Sequence, residues 1–551
     1  MPTLELNHLN IVLGALGAYL GLYGLVSVQI KLVWYLGAAL PAVIMGIILG
    51  PVGAKFIDSS QWGNAQDGQT HAITLGVTRV MIGLQLVIAG YQLPARYLWM
   101  RRKEIAMCLL PVMTMMWLAT TLCVLATTSN LTLLPALVIS ACVTCTDPVL
   151  SQAIAKGPFS DMFIARPLRE IISCEAGAND GFGFPFLMFA VYLMRHAHER
   201  TEDGHLSMGY EVLGSDQVGR VGGGVGVALR EWVLETWLYM IVLSVCYGAL
   251  VGFAACKGIQ FCLERKWIDN ESYLLFPSAL GMFLVGSCGA IGTDDSFACF
   301  VAGCALNWDG HYLKESERRQ DEVNSSFTML LNFGGFFYIG TIIPWSEFHD
   351  PDGTGITIGR LLLLGFVVLA FRRIPAVLAA CRLMKPVCAN YKEALFMGYF
   401  GPIGAGAVFY VEYTKRLFPD VGDGDVEETH LVEIINPIVY WLVFFSIVVH
   451  GLSIPALDLL YKWLRVKPIH DDAIEMWRSS FREALPANAA ISDGETFLAY
   501  NRFSRPIASV ELPRVGASRH RRGPSADDPA GEIEVHEKRE RRRRATIQPV
   551  V

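Results

Sequence analysis

Thr146-Asp147-Pro148 and Glu175-Ala176-Gly177-Ala178-Asn179-Asp180-Gly181 place three carboxylates inside otherwise apolar runs, 131–155 and 168–194. A charge at the centre of a bilayer costs at least about 2.5 kcal/mol, so carboxylates at that depth are candidates for ion or proton handling. Pro148 has no N–H, so the Thr144 carbonyl loses its helical partner and the helix opens locally. Asp147, preceding a proline, is pushed toward extended backbone. Freed carbonyls, the Thr146 hydroxyl and a carboxylate are the oxygen donors a hard cation takes. Unwound backbone at this depth is tolerated only inside a protein-lined cavity. The plainer alternative is a proline kink with a helix-capping Asp147.

In the second cluster Glu175 and Asn179 share one helix face, whereas Asp180 lies about 140° around from Glu175. Two carboxylates so placed should not do one job. Asp180 is assigned to the ion, with Asn179 beside it, and Glu175 to an internal structural pair. Its counter-charge is Arg372-Arg373, within the run 357–381. A buried guanidinium needs a carboxylate, and either arginine could meet Glu175. Gly177, Gly181 and Gly183 allow a neighbouring helix to come close. Asp294-Asp295 is a secondary candidate, either an ordinary helix cap or an ion vestibule. His450 reads as a packed, hydrogen-bonded histidine before it reads as a proton sensor.

These clusters need membrane helices to hold them. The chain of 551 residues is 53% hydrophobic and 17% charged, with mean hydropathy +0.39. A soluble domain carries roughly 25% charged residues, so this is an all-α polytopic membrane protein. About thirteen runs are long enough to span a bilayer, near 9–29, 32–50, 71–91, 104–126, 131–155, 168–194, 231–255, 273–290, 293–307, 324–344, 357–381, 394–414 and 433–461. Those at 273–290 and 293–307 could be one longer segment broken at Gly289 and Gly292.

With the N-terminus outside, the cytoplasmic loops hold Arg101, Arg102, Lys103, Arg166, Arg265, Lys266, Arg382 and Lys385, while 345–356 holds no Lys or Arg. This positive-inside bias puts the C-terminus in the cytoplasm. Residues 1–10 lack the basic flank and cleavage site of a removable signal. Residues 195–228 read as a glycine-rich external loop. The stretch 461–485 reads as an interfacial helix anchored by Trp463 and Trp477, and the chain after 488 as a disordered tail. Breaks at Asp147-Pro148 and at Gly401-Pro402-Ile403-Gly404 suggest inverted six-helix repeats whose broken helices cross at the ion site.

Other chemistries find little here. No G-x-x-x-x-G-K-[ST] occurs, no nucleophile–base pair or metal-binding histidine set is evident, and no basic domain with interleaved aromatics invites nucleic acid. Cys142 and Cys145 sit in a membrane helix and read as packing residues. No enzyme activity and no cofactor are expected.

At these residues the chain resembles the fungal plasma-membrane sodium/proton antiporters, within the larger monovalent cation:proton antiporter family. The matching segments are Thr146 to Leu150, Glu175 to Gly181 with Phe184-Pro185-Phe186, Asp294-Asp295 with Phe300 to Gly303, Ala305 to Gly310, Leu331 to Gly335, Phe400 to Gly404 and His450-Gly451. The resemblance implies a homodimer of thirteen-span protomers. In each, a core (about 104–194 and 357–461) would move against a dimerisation part (about 9–91 and 231–344), within a membrane domain of 1–463 followed by a cytoplasmic 464–551. It implies that Thr146, Asp147 and Asp180 line the cation site and that Asn179-Asp180 is the pair associated with electroneutral exchange. Glu175 would pair with the arginine of the eleventh span. One departure is Ala176, where the family commonly has serine, which bears on selectivity among Na+, K+ and Li+. The tail is also short for the fungal members.

The expected activity is exchange of monovalent alkali cations for protons at the plasma membrane, serving pH homeostasis and salt tolerance. Na+, K+, Li+, H+ and membrane lipids would be the only partners besides a second copy. A carboxyl of ordinary acidity, near about 3.9, would hardly load protons at neutral pH, so the exchange needs a site withdrawn from water. The rival expectation is a sodium-coupled symporter for a small organic solute, which would need a pocket for that solute.

Overall fold

Apolar runs of this length leave their backbone one way to satisfy its polar groups away from water, and that is the helix. The structure, a computed structural model, describes residues 8–30, 34–63, 65–66, 68–155, 158–197, 221–319, 322–469, 474–477, 489–493 and 496–499. The helices in chain order are α1 (His8–Val28), α2 (Ala39–Leu49), α3 (Gln69–Tyr91) and α4 (Arg102–Thr127), then α5 (Leu133–Cys142) and α6 (Pro148–Ala155). Next come α7 (Arg166–Gly181), α8 (Phe184–Arg195), α9 (Gly224–Glu264), α10 (Asn270–Ile291), α11 (Asp295–Leu306) and α12 (Glu322–Thr341). The last are α13 (Ile358–Phe371), α14 (Ile374–Ala380), α15 (Tyr391–Tyr399), α16 (Ala405–Lys415) and α17 (Val426–Trp463). Among the described residues, seven helices are long and apolar enough to cross a membrane.

Where the chain breaks is a matter of proline and glycine. The openings between α5 and α6 and between α15 and α16 fall at Pro148 and Pro402, as expected. Two further breaks interrupt runs expected to be continuous. Pro185 lies in the first turn of α8, and Pro375 in the first turn of α14. Each lacks the N–H to continue a preceding helix and favours a fresh start. The α10–α11 connection is a stop and restart: Gly292 takes a left-handed φ of 82°, and Asp294 accepts a hydrogen bond from the N–H of Phe297 as the cap of α11.

The helices pack in two groups that meet at the site. In one, α3 lies against α10, α11 and α12, and α9 runs along α11. Gly248 and Gly252 of α9 sit so close to the backbone of Ala298 and Ala302 that a Cβ on either would overlap a carbonyl oxygen. In the other group α5 packs on α4, α8 and α17, while α13 packs on α4. The groups touch where α16 crosses α3, where α7 crosses α11 and where α8 lies along the first half of α9.

Among the described residues of 461–485 the expected interfacial helix does not continue past Trp463. Helix α17 stops at Trp463 in a Schellman arrangement: Val466 N–H reaches the Tyr461 carbonyl, Arg465 N–H reaches Lys462, and Arg465 takes the left-handed φ of 51°. Pro468 would bar further helix. Beyond it stand three short antiparallel strands, β1 (Ile474–Trp477), β2 (Ala489–Asp493) and β3 (Thr496–Ala499), with β3 between the other two. Trp477 is thus a strand residue, and 489–499 carries strands where a disordered tail was expected. The rest of that tail, 500–551, lies outside the described residues, as does most of the expected external loop.

Candidate ion site at the crossing of two broken helices

The N–H of Asp147 donates to the Pro402 carbonyl across the gap, N···O 2.8 Å, so the two interruptions meet directly. Around them the chain arranges opposite ends of helices. The starts of α6 and α16 both point at Asp147. Its Oδ1 accepts from the N–H of Leu150 at 2.8 Å and its Oδ2 from the N–H of Ala405 at 2.9 Å. The ends beyond α5 and α15 both point at Arg372. This guanidinium donates to the carbonyls of Thr144 (3.0 Å), Cys145 (2.8 Å) and Gly401 (2.8 Å). The Thr144 carbonyl expected to lose its partner to Pro148 is therefore taken up by an arginine.

Each helix end carries about half an elementary charge. Two positive ends are balanced by one aspartate and two negative ends by one arginine. Arg373 turns the other way and holds Glu175 bidentately, at 2.8 and 2.7 Å, with its Nε on the Met397 carbonyl. The choice between the arginines is thus resolved: Arg373 pairs with Glu175, while Arg372 caps the broken ends. Both lie in the break before Pro375, which lets adjacent residues face apart.

Asn179 and Thr146 lock α7 to the first break reciprocally. The Asn179 amide donates to Thr146 Oγ1 at 2.8 Å, and its oxygen accepts from the Thr146 N–H at 3.1 Å. Asp180 is next in sequence and only 3% exposed, yet neither of its carboxylate oxygens has a hydrogen-bond partner among the described residues. Its backbone carbonyl accepts from the Tyr410 hydroxyl at 2.7 Å. The charges of Asp147, Glu175, Arg372 and Arg373 are each balanced at the crossing. A buried, unpaired carboxylate is expensive unless it is neutralised, and a proton or a monovalent cation would each do that.

The Asp294-Asp295 pair divides its labour. Asp294 caps α11 with one oxygen and leaves the other buried with no partner among the described residues. Asp295 is ion-paired with Arg79 of α3. His450 sits between the carbonyls of Ser446 and Tyr399 at 2.9 and 3.0 Å, the packed arrangement expected of it.

Arg79 went unnoticed in the sequence although a lone arginine inside the run 71–91 was a visible signal. So did Glu412, in the run 394–414. Its carboxylate accepts from Tyr440 (2.9 Å) and meets His71 Nδ1 of α3 (2.8 Å), while Lys415 donates to His71 Nε2 at 3.3 Å. Because lysine only donates, the proton of a neutral His71 belongs on Nδ1. Nearby, in the loop between α12 and α13, burial pushes the Glu347 carboxyl up against the opposing pull of Lys415 and His71.

Crossed broken helices around an unpaired buried carboxylate define a polytopic membrane protein built on paired helix interruptions. The family model described as the transmembrane sodium/hydrogen exchanger matches residues 16–458, and the chain belongs to that family. It is 31% identical over 467 residues to the Na+/H+ antiporter 2 of Zygosaccharomyces rouxii, covering 83% of this chain and 54% of that protein. To the Na+/H+ antiporter of Saccharomyces cerevisiae it is 32% identical over 468 residues, 83% of this chain and 44% of the relative. It spans about half the length of these relatives. The solved sodium proton antiporter of Methanocaldococcus jannaschii shares the fold, with TM-score 0.58, 16% identity, and coverage of 82% of this chain and 98% of that one.

Proposed function

We propose that this protein is a secondary active antiporter that exchanges Na+, with K+ and Li+ as further candidate cations, for protons. The observation that carries this is Asp180, withdrawn from water with neither carboxylate oxygen partnered among the described residues, while Asp147, Glu175, Arg372 and Arg373 around it are each matched. Proton and cation compete for that one carboxylate, with Thr146, Asp147 and Asn179 framing it. Alternating access of a core against a fixed part carries whichever is bound, and either gradient drives the other. The thirteen-span count, the inverted repeats, the two-part division at the stated boundaries and the N-outside, C-inside orientation belong to this reading. So do the plasma-membrane location and the homodimer. Exposed apolar side chains on α1 and α9, such as Leu25 and Leu250, offer surface to lipid or to a second copy.

The symport alternative needs room for an organic solute. The cavity beside the crossing, lined by Arg372, Tyr399, Ser446 and His450 among others, holds about one water molecule. That space beside Arg372 is too small for an organic solute.

With purified protein in liposomes carrying a lumenal pH dye, NaCl added outside should alkalinise the lumen without any organic solute, because each entering Na+ drives a proton out. Asp180→Asn should abolish the response while the protein keeps its fold and its oligomeric state by size exclusion. An unimpaired sodium-driven pH change in that variant overturns the assignment.

A further inference from the structure

Among the described residues Asp180 has no hydrogen bond to hold its carboxylate, so its position is set by shape and by its backbone. Both come from one face of α16. Gly406 and Tyr410 are four residues apart and stand one above the other on a helix. A Cβ built at Gly406 would overlap Asp180 Oδ1 and lie 3.2 Å from Oδ2, so the carboxylate rests directly against the glycine. Tyr410, fully buried, donates its hydroxyl to the Asp180 backbone carbonyl at 2.7 Å. Two residues earlier, at the N-cap, the same helix start treats the neighbouring carboxylate alike. A Cβ at Gly404 would overlap Asp147 Oδ2, which accepts the N–H of Ala405 between the two glycines.

We infer that Gly406 and Tyr410 are positioning residues that fix the carboxylate of Asp180, and that Gly406 sets the size of the cation it accepts. The inference rests on the antiport reading and goes one step past it. A methyl at 406 leaves the helix start and Asp147 in place but drives the Asp180 carboxylate away from α16, shrinking the space an ion can share with it. The largest cation suffers most and Li+ least. Removing the Tyr410 hydroxyl changes no volume. It frees the carbonyl that anchors Asp180 and loosens the site for every cation equally.

The test is the liposome assay on wild type, Gly406→Ala and Tyr410→Phe, titrated with Li+, Na+ and K+, with half-saturation and maximal rate read separately. Gly406→Ala should raise half-saturation for Na+ by about tenfold or more relative to Li+, with K+ affected further and the maximal rate for Li+ retained. Tyr410→Phe should raise all half-saturations together by about three- to tenfold, the worth of one hydrogen bond. A merely structural role would lower maximal rate and melting temperature without changing the ratio between cations. A Gly406→Ala variant that does not fold gives Gly406 a structural role and overturns the size reading, and Tyr410→Phe then tests the anchoring of Asp180 alone. Wild-type half-saturations in folded variants overturn the inference while leaving antiport standing. A wild type that exchanges nothing overturns the antiport reading and this inference with it.

Discussion

Glu175 and Arg373 are withdrawn almost wholly from solvent, 1% and 4% exposed at their side chains, and share two hydrogen bonds. Cutting either partner strands the other's charge, which in a buried pair costs about 3–5 kcal/mol. Glu175→Ala should therefore lower the melting temperature in detergent and the yield of folded protein, while the ratio of Li+ to Na+ half-saturation in the surviving protein stays put. An unchanged melting curve would show that the pair holds nothing together. Residues of this kind were legible in the sequence because a charge in an apolar run has few innocent explanations. Asp147, Glu175, Asp180 and the Arg372-Arg373 pair all stood out on that ground. Which arginine meets Glu175 was not legible, since the answer depends on the backbone break at Pro375. Tyr410 and Gly406 gave no signal at all: a tyrosine and a glycine in a membrane helix are ordinary until their distance to Asp180 is known.

Among the elements, the two interruptions at the crossing share a single carboxylate. Asp147 accepts from Leu150 and Ala405, each the start of a different helix. Asparagine has one oxygen for two donors, and its amide N–H groups would face the second donor. Asp147→Asn should lose one cap, worth about 0.5–2 kcal/mol, together with the charge that balances two helix ends. The expected outcome is a lowered melting temperature and lost exchange together, whereas Asp180→Asn loses exchange alone. Equal melting temperatures for the two variants would remove the distinction drawn between a structural and an ion-carrying aspartate. The crossing itself was readable because Pro148 and Pro402 interrupt apolar runs with glycine or threonine beside them. The breaks before Pro185 and Pro375 carried the same residue type. They were passed over because a proline in a membrane helix can also be absorbed by neighbours. The strands after α17 escaped because aromatic anchors spaced along 461–485 suit an interfacial helix until Pro468 is weighed.

For the whole molecule the question is what net charge the proposed alternating access would move. Arg372 offsets two helix ends, Asp147 offsets two others, and Arg373 offsets Glu175, so in the proposed alternating access these groups add no net charge to what Asp180 carries. Loaded with a proton, Asp180 is neutral; loaded with one monovalent cation, it is neutral again. Asn179 beside it adds no charge. A site carrying one net charge across would feel about 2.3 kcal/mol per 100 mV, enough to change a rate by well over tenfold. A neutral one feels nothing. Sodium-driven pH change in liposomes should therefore keep the same rate when a potassium gradient and valinomycin impose a potential of either sign, in a preparation where K+ is shown not to be exchanged. A rate that follows the imposed potential would mean that a second carboxylate titrates during the cycle. Asp294, with one buried oxygen unpartnered, would then be the group to substitute, because Asp147 has both oxygens committed to backbone donors.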